Sequence, residues 1–327
     1  MGKLISYSYI VFLFILGACS QKTELAPISL SPQKIISELN DSTFFKTISG
    51  MVYHNGKIYL SELSRGAILV LNEDYALTDI IGKKGKGPGE FLFNGHLEVH
   101  DDSIWVADIN SGVSLFVQNT FIQKTSDDIS IFKTRKPIGF FDLRFACHNN
   151  YLYYYQLNEQ PVILKTNLQT QETQVFAKSE ISDKHGKNRG HVITDGENIY
   201  VILHNAPFVE KYSLSGEKKE MYDYSDKINF MKTFEYLDAQ ERQINAVSTL
   251  VRDVSFDAPY LYLLLYLKDF SDNLISNKIL AINTEDDSDM KLYSLDDGGY
   301  YTFITYNHQL FAFDIKNAEL KLFMLPK

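Results

Sequence analysis

Six short apolar runs, each with an aromatic residue inside it, punctuate the chain. They are Lys57-Ile58-Tyr59-Leu60, Ser103-Ile104-Trp105-Val106, Tyr151-Leu152-Tyr153-Tyr154, Asn198-Ile199-Tyr200-Val201, Tyr260-Leu261-Tyr262-Leu263 and Gln309-Leu310-Phe311-Ala312. The aromatic markers are spaced about 46, 48, 47, 62 and 49 residues apart, a period in the range of propeller blades. A second apolar run precedes each marker, as in Gly50-Met51-Val52-Tyr53 or Arg144-Phe145-Ala146-Cys147. Between the two lie turn formers such as His54-Asn55-Gly56, His148-Asn149-Asn150 and Asp195-Gly196-Glu197. A third run follows the marker, as in Ala67 to Leu71, and a weaker fourth comes after it. The pattern predicts an all-β chain: a four-stranded antiparallel sheet used six times. One such sheet cannot cover both its faces, whereas radial stacking covers each by a neighbour. This accounts for Tyr260 to Tyr266, which is apolar throughout instead of alternating.

Two stretches break the period. The sixth unit ends after its third strand at Leu320 to Leu325, so a fourth strand must come from elsewhere or leave an open edge. Ile28 to Ser37 belongs to no repeat and is expected to supply it, with Pro32 tolerated on an outer edge. The single long interval holds Asp226 to Thr249, where Phe230, Met231, Phe234, Leu237 and Ile244 recur at helical spacing. One amphipathic helix between blades four and five is expected there.

Composition adds little to the fold and more to the setting. The formal charge is −9 over 327 residues, which argues against a nucleic-acid binder. The first residues are of another kind: Lys3 precedes the apolar run Ile10 to Leu16, too short to span a bilayer and shaped like a signal peptide. It ends Leu16-Gly17-Ala18-Cys19, which resembles the lipobox of bacterial lipoproteins. The resemblance implies cleavage before Cys19 and lipidation of its thiol. The expected division is a signal peptide over 1–18, a tether over 19–27 and a propeller over 28–327. An ordinary secretory signal or an uncut membrane anchor is the other reading. Cys147 is then the mature domain's one unlipidated cysteine, so no internal disulfide is available, and its apolar strand marks it as a core residue.

Between the first and second units lies Gly82-Lys83-Lys84-Gly85-Lys86-Gly87-Pro88-Gly89-Glu90-Phe91, followed by Ile104-Trp105-Val106-Ala107-Asp108 and Val113 to Phe116. This stretch is similar to the NHL repeat. With the lipobox, the chain resembles the six-bladed β-propeller lipoproteins of Bacteroidetes-type bacteria. The glycine signature matches in the second unit only; the other five match in period and apolar pattern. What the resemblance implies is a lipid-anchored propeller in the cell envelope, outside the cytoplasm and on the outer membrane, with no assigned reaction.

Sixfold symmetry places equivalent residues around one axis. At the start of each innermost strand stand Gly50, His96, Arg144, His191, Asp253 and Thr302. His96, Arg144, His191 and Asp253 are the candidate ligand-binding set, for a small anion, sugar or peptide end, with Arg144 as an anion clamp. A polar lining that only solvates strand ends is the alternative. His96, His191 and Asp253 are also usable metal ligands, against which the charge of Arg144 weighs. A second ring, Glu62, Asp108, Gln156, His204 and Asp314, follows the markers and is expected to cap turns. Lys83, Lys84 and Lys86, then Lys133, Arg135 and Lys136, then Lys184, His185, Lys187 and Arg189 put positive charge on inter-blade loops. A shared face would attract acidic glycans, but solvated loop charge is the simpler reading. His54, His100 and His148 occupy one hairpin phase and read as turn residues. No nucleophile elbow, Walker loop, His-Glu-x-x-His or paired-cysteine spacing is present, and no cofactor is implied. The expected function is a binding scaffold for a glycan, a peptide or an envelope protein. The alternative is a propeller lyase or hydrolase at the channel mouth.

Overall fold

The computed structural model describes residues 24–40, 43–108, 112–124, 144–156, 162–178, 189–229, 233, 235, 249–268 and 274–326. The expected signal peptide and Cys19 lie outside them. So does most of the expected helix at 226–249, of which 226–229 form turns and a bend and Thr233 and Glu235 are helical. Among the described residues no helix is long and apolar enough to cross a membrane.

Six antiparallel sheets follow the markers. Blade one is Ile48–His54, Lys57–Glu62, Ala67–Leu71 and Leu77–Ile81. Blade two is Asn94–His100, Ser103–Asp108, Gly112–Val117 and Thr120–Lys124. Blade three runs from Ala146–His148 to Thr173–Ala177, and blade four from Gly190–Thr194 to Lys218–Asp223. Blade five comprises Val251–Asp257, Tyr260–Lys268, Leu274–Asn283 and Met290–Ser294; blade six has Tyr300–Tyr306, Gln309–Asp314 and Glu319–Met324 from the C-terminal end. The tight turns between first and second strands use the left-handed region. Asn55 and Gly56 (φ 48° and 75°), Asn149 and Asn150 (45° and 63°), and Asn307 and His308 (49° and 60°) give the twist that two-residue hairpins require.

The apolar clusters lie between blades. One joins Met51, Leu60 and Leu69 of blade one to Phe303, Phe311 and Phe313 of blade six and to Leu264 and Ile279 of blade five. Others join blades one and two, two and three, three and four, and four and five. In blade five, Leu261, Leu263, Leu264 and Leu265 are all fully buried, so consecutive residues are covered on both faces. Gly50 belongs to this packing: a Cβ there would stand 2.8 Å from His96 Cα, so only glycine lets blade one's inner strand come this near blade two.

The ring closes through the N-terminal segment, but along a different path from the expected single strand. Lys34–Ile36 pairs antiparallel with Leu320 to Leu322 and is the fourth strand of blade six. Ile28–Ser29 instead pairs in parallel with Tyr293 and Ser294, adding a fifth strand to blade five. Leu30 N donates to Ser294 O at 2.8 Å and Gln33 N to Leu322 O at 2.7 Å, so the chain crosses from one blade to the next at Pro32. Earlier still, Leu25 N donates to Lys227 O. The segment is a strap over two outer edges, and proline sits where no ladder bond is asked of it.

The glycine-rich loop also has a local cause. Lys83–Lys84 pairs with Glu90–Phe91, and the turn folds over the Glu90 carboxylate. Gly87 N donates to Glu90 Oε2 at 2.8 Å and Lys83 Nζ lies 3.2 Å from Oε1. The glycine-rich loop is therefore folded around the chain's own acid.

Candidate functional site

The six inner strands bring the candidate residues onto one axis, where they bond to one another. Arg144 Nε donates to Asp253 Oδ1 at 2.6 Å and Nη2 donates to Oδ2 at 3.1 Å, across 109 positions of sequence. The guanidinium also reaches Phe303 O at 3.0 Å and Met51 O at 3.4 Å. Blades one, three, five and six are thus tied by one side chain. Asp253 accepts further bonds from Thr302 Oγ1 at 2.7 Å, Phe303 N at 3.0 Å and Val254 N at 2.8 Å, with His96 Nε2 at 3.7 Å. Arg144 is 4% exposed and Asp253 0%. Burial alone would raise the Asp253 pKa, but Arg144 and then His96 hold it well below the usual carboxylate range.

Imidazoles surround this pair. Arg144 N donates to His191 Nδ1 at 3.1 Å, so the His191 proton resides on Nε2. Burial, opposed by Asp253 and aided by Arg144, pushes the His191 pKa down to about 4. The His191 ring lies 6.3 Å from that of His96 and 4.5 Å from that of His204. Burial drives His204 well below its ordinary pKa, and the nearby charges of His191, Arg189, Arg252 and His96 add to the effect. Nε2 of His191, Nε2 of His204 and Nε of Arg252 are buried without a hydrogen-bond partner. The Arg252 guanidinium lies between the rings of Tyr266 and Tyr301, 5.1 Å from each centroid. Among the described residues no group of three or more His, Cys, Asp or Glu is arranged to hold a metal ion.

The second ring has a different task. Glu62 accepts from Thr47 N and Arg65 N, Asp108 from Leu92 N and Phe93 N, and Asp314 from Gly299 N and Lys316 N. Each carboxylate staples the loop that enters its own blade, and Glu62 and Asp314 also cap the turn that follows. In blade four this position is His204, whose side chain turns to the axis cluster instead. In the sequence His204 stands in this ring with Gln156 as a non-acidic member, expected to cap a turn; its turn toward the axis is what the structure adds.

The other candidates separate. Lys84 Nζ donates to Leu63 O and Leu92 O, and Lys83 pairs with Glu90. Arg189 is buried, and Lys133, Arg135, Lys136, Lys184, His185 and Lys187 lie outside the described residues. His54 and His148 end their inner strands just before the hairpin turns and bond the adjacent Asn55 and Asn149 amides at 3.0 and 2.7 Å. His100, between them, is held below its ordinary pKa by burial and then by their charges. Cys147 is buried, and burial, with Glu98 beside it, pushes its thiol well up. One residue went unmarked in the sequence: Glu98, two positions along the inner strand from His96. Burial raises its pKa to about 7, against a lowering pull from Arg144.

Comparison with solved structures gives the same fold at low identity. A protein described as exported, from Bacteroides fragilis, superposes with a TM-score of 0.57 at 12% identity, over 92% of this chain and 100% of that one. A protein of unknown function from Bacteroides thetaiotaomicron gives 0.58 at 14%, over 92% and 75%. Virginiamycin B lyase from Staphylococcus aureus, in an inactive form with quinupristin, gives 0.51 at 13%, over 86% and 82%. A search of curated proteins finds no match. The model of the DUF5128 family, described as a 6-bladed beta-propeller, matches residues 35–250, well over half of the chain. The protein therefore belongs to this family of six-bladed β-propellers.

Proposed function

We propose that the protein is an extracytoplasmic, lipid-anchored binding scaffold that takes an anionic group, such as a carboxylate of a glycan or peptide, at the axis. Support for the location comes from the signal-peptide pattern, from Leu16-Gly17-Ala18-Cys19 and from the fold shared with an exported Bacteroides protein. The observation that carries the binding reading is the pair of buried, unpartnered donors Arg252 Nε and His191 Nε2, with the unpartnered His204 Nε2 beside them. They sit beside an Arg144–Asp253 pair that is already internally satisfied. Unpaired buried donors cost about 1–3 kcal/mol each, and an acceptor from outside would recover that. In this reading His96, Arg144, His191 and Asp253 form the rigid floor of the site, and Arg252 takes the role of clamp. The same bonds argue against the lyase or hydrolase alternative. A carboxylate with five donors and a strongly depressed pKa is a poor base near neutral pH.

The test uses the full chain in detergent against a panel of carboxylated and neutral oligosaccharides and peptides. Carboxylated members should bind, and Arg252→Gln should weaken them about tenfold or more. Binding by neutral members alone, or unchanged binding in Arg252→Gln, would defeat the reading. Cys19→Ala should shift the protein from the membrane fraction to the soluble exported fraction; retention on the membrane would refute the anchor.

A further inference from the structure

A second site lies away from the axis, on blade two. In its third strand Ser114 and Phe116 point to one face, and their partners across the ladder, Lys124 and Phe121, share that face. The Gly87-Pro88-Gly89 turn lies over it. A Cβ at Gly89 would stand 3.1 Å from Phe121 Cβ, and Gly89 has φ 71°, so glycine is required on both counts. Between turn and strand is a cleft of about 230 Å³, lined by Lys86, Ser114, Phe121 and Lys124 beside the turn and Glu90. Glu90 faces its own loop: its carboxyl is held below the ordinary value by the Gly87 amide and then by Lys83. Neither Lys86 nor Lys124 has an ion-pair partner among the described residues. Two cations without an ion-pair partner among the described residues thus flank an aromatic edge and a serine, on a chain whose formal charge is −9.

We propose that this cleft binds one acidic sugar unit of a polysaccharide, its carboxylate or sulfate held between Lys86 and Lys124. The dimensions favour one unit of a longer chain. The cleft is smaller than the roughly 300–1,000 Å³ that encloses a free drug-sized ligand. Phe121 offers an apolar surface to a sugar ring, and Ser114 a hydroxyl to its polar rim. Paired lysines recognise charge without the planar fork of arginine, so the site selects an acidic group without fixing its orientation. The site is independent of the axis, from which no residue is drawn.

The experiment titrates the full chain in detergent with polygalacturonate and with neutral dextran at a series of salt concentrations. Polygalacturonate should bind, more weakly as salt rises, and dextran should not. Lys86→Gln with Lys124→Gln should lower the affinity by about tenfold or more. The loss caused by the two lysine changes should persist in an Arg252→Gln background, where the axis clamp is already removed, which separates this site from the axis site. Single-stranded DNA is the control polyanion. Equal binding to DNA, dextran binding, no polygalacturonate binding, or an unaffected double variant would each overturn the proposal.

Discussion

Glu98 and His191 set opposite pH limits on the same channel. The Glu98 carboxyl protonates near 4.5 in the unfolded chain and near 7 when folded. Its penalty is absent below about pH 4.5, grows as pH rises through that window and is complete above 7. At about 1.4 kcal/mol per unit the full cost is about 3–3.5 kcal/mol. His191 works the other way: it takes its proton near 6.5 unfolded and near 4 folded, so its penalty grows as pH falls between those values. Glu98→Gln should therefore stabilise the protein by about 2–3 kcal/mol at pH 8 and hardly at all at pH 4. Chemical unfolding at the two pH values measures this, and equal effects at both would contradict it. The alternation His96, Glu98, His100 was visible in the sequence, yet the depth of Glu98 on the axis was not, because depth depends on the five other inner strands. For the same reason Arg144 and Asp253 were both legible as axial residues, whereas their pairing across 109 positions was not.

At the scale of elements, blades could be read because each needs local signals that survive packing: an aromatic marker, a turn able to take positive φ, and a run covered on both faces. The closing strand was read in part. Local pattern identified an extra segment, but no local rule divides Ile28–Ser29 from Lys34–Ile36 between two adjacent outer edges. The register of the strap gives a direct test. Ile36 points into the core between blades six and one and is 9% exposed, while Ile35 points outward and is 52% exposed. Ile36→Asp should cost about 2–4 kcal/mol, by analogy with burying an unpaired charge in place of a methyl-rich side chain. Ile35→Asp should stay within about 0.5 kcal/mol of the parent. Thermal unfolding of the two variants reads the difference, and similar losses would mean that the strap is not in this register.

The whole molecule is a wheel whose outer closure is a three-residue strand and whose inner closure is ionic. Blade-to-blade apolar packing does not by itself choose among blade counts, and the axis adds a condition that does. One guanidinium must reach a carboxylate of blade five and carbonyls of blades one and six from its place in blade three. Such a pair contributes little net stability over apolar replacements, yet removal of one partner leaves a buried charge alone. Arg144–Asp253 thus fixes the centre of the ring and supports the donors proposed to meet a ligand. A double-mutant cycle of Arg144→Met and Asp253→Leu, followed by thermal unfolding, tests this most directly. Each single change should cost about 3–5 kcal/mol, and the double variant should lose less than either. Additive losses, or single losses below about 1 kcal/mol, would show that the two side chains do not form a buried pair at the axis.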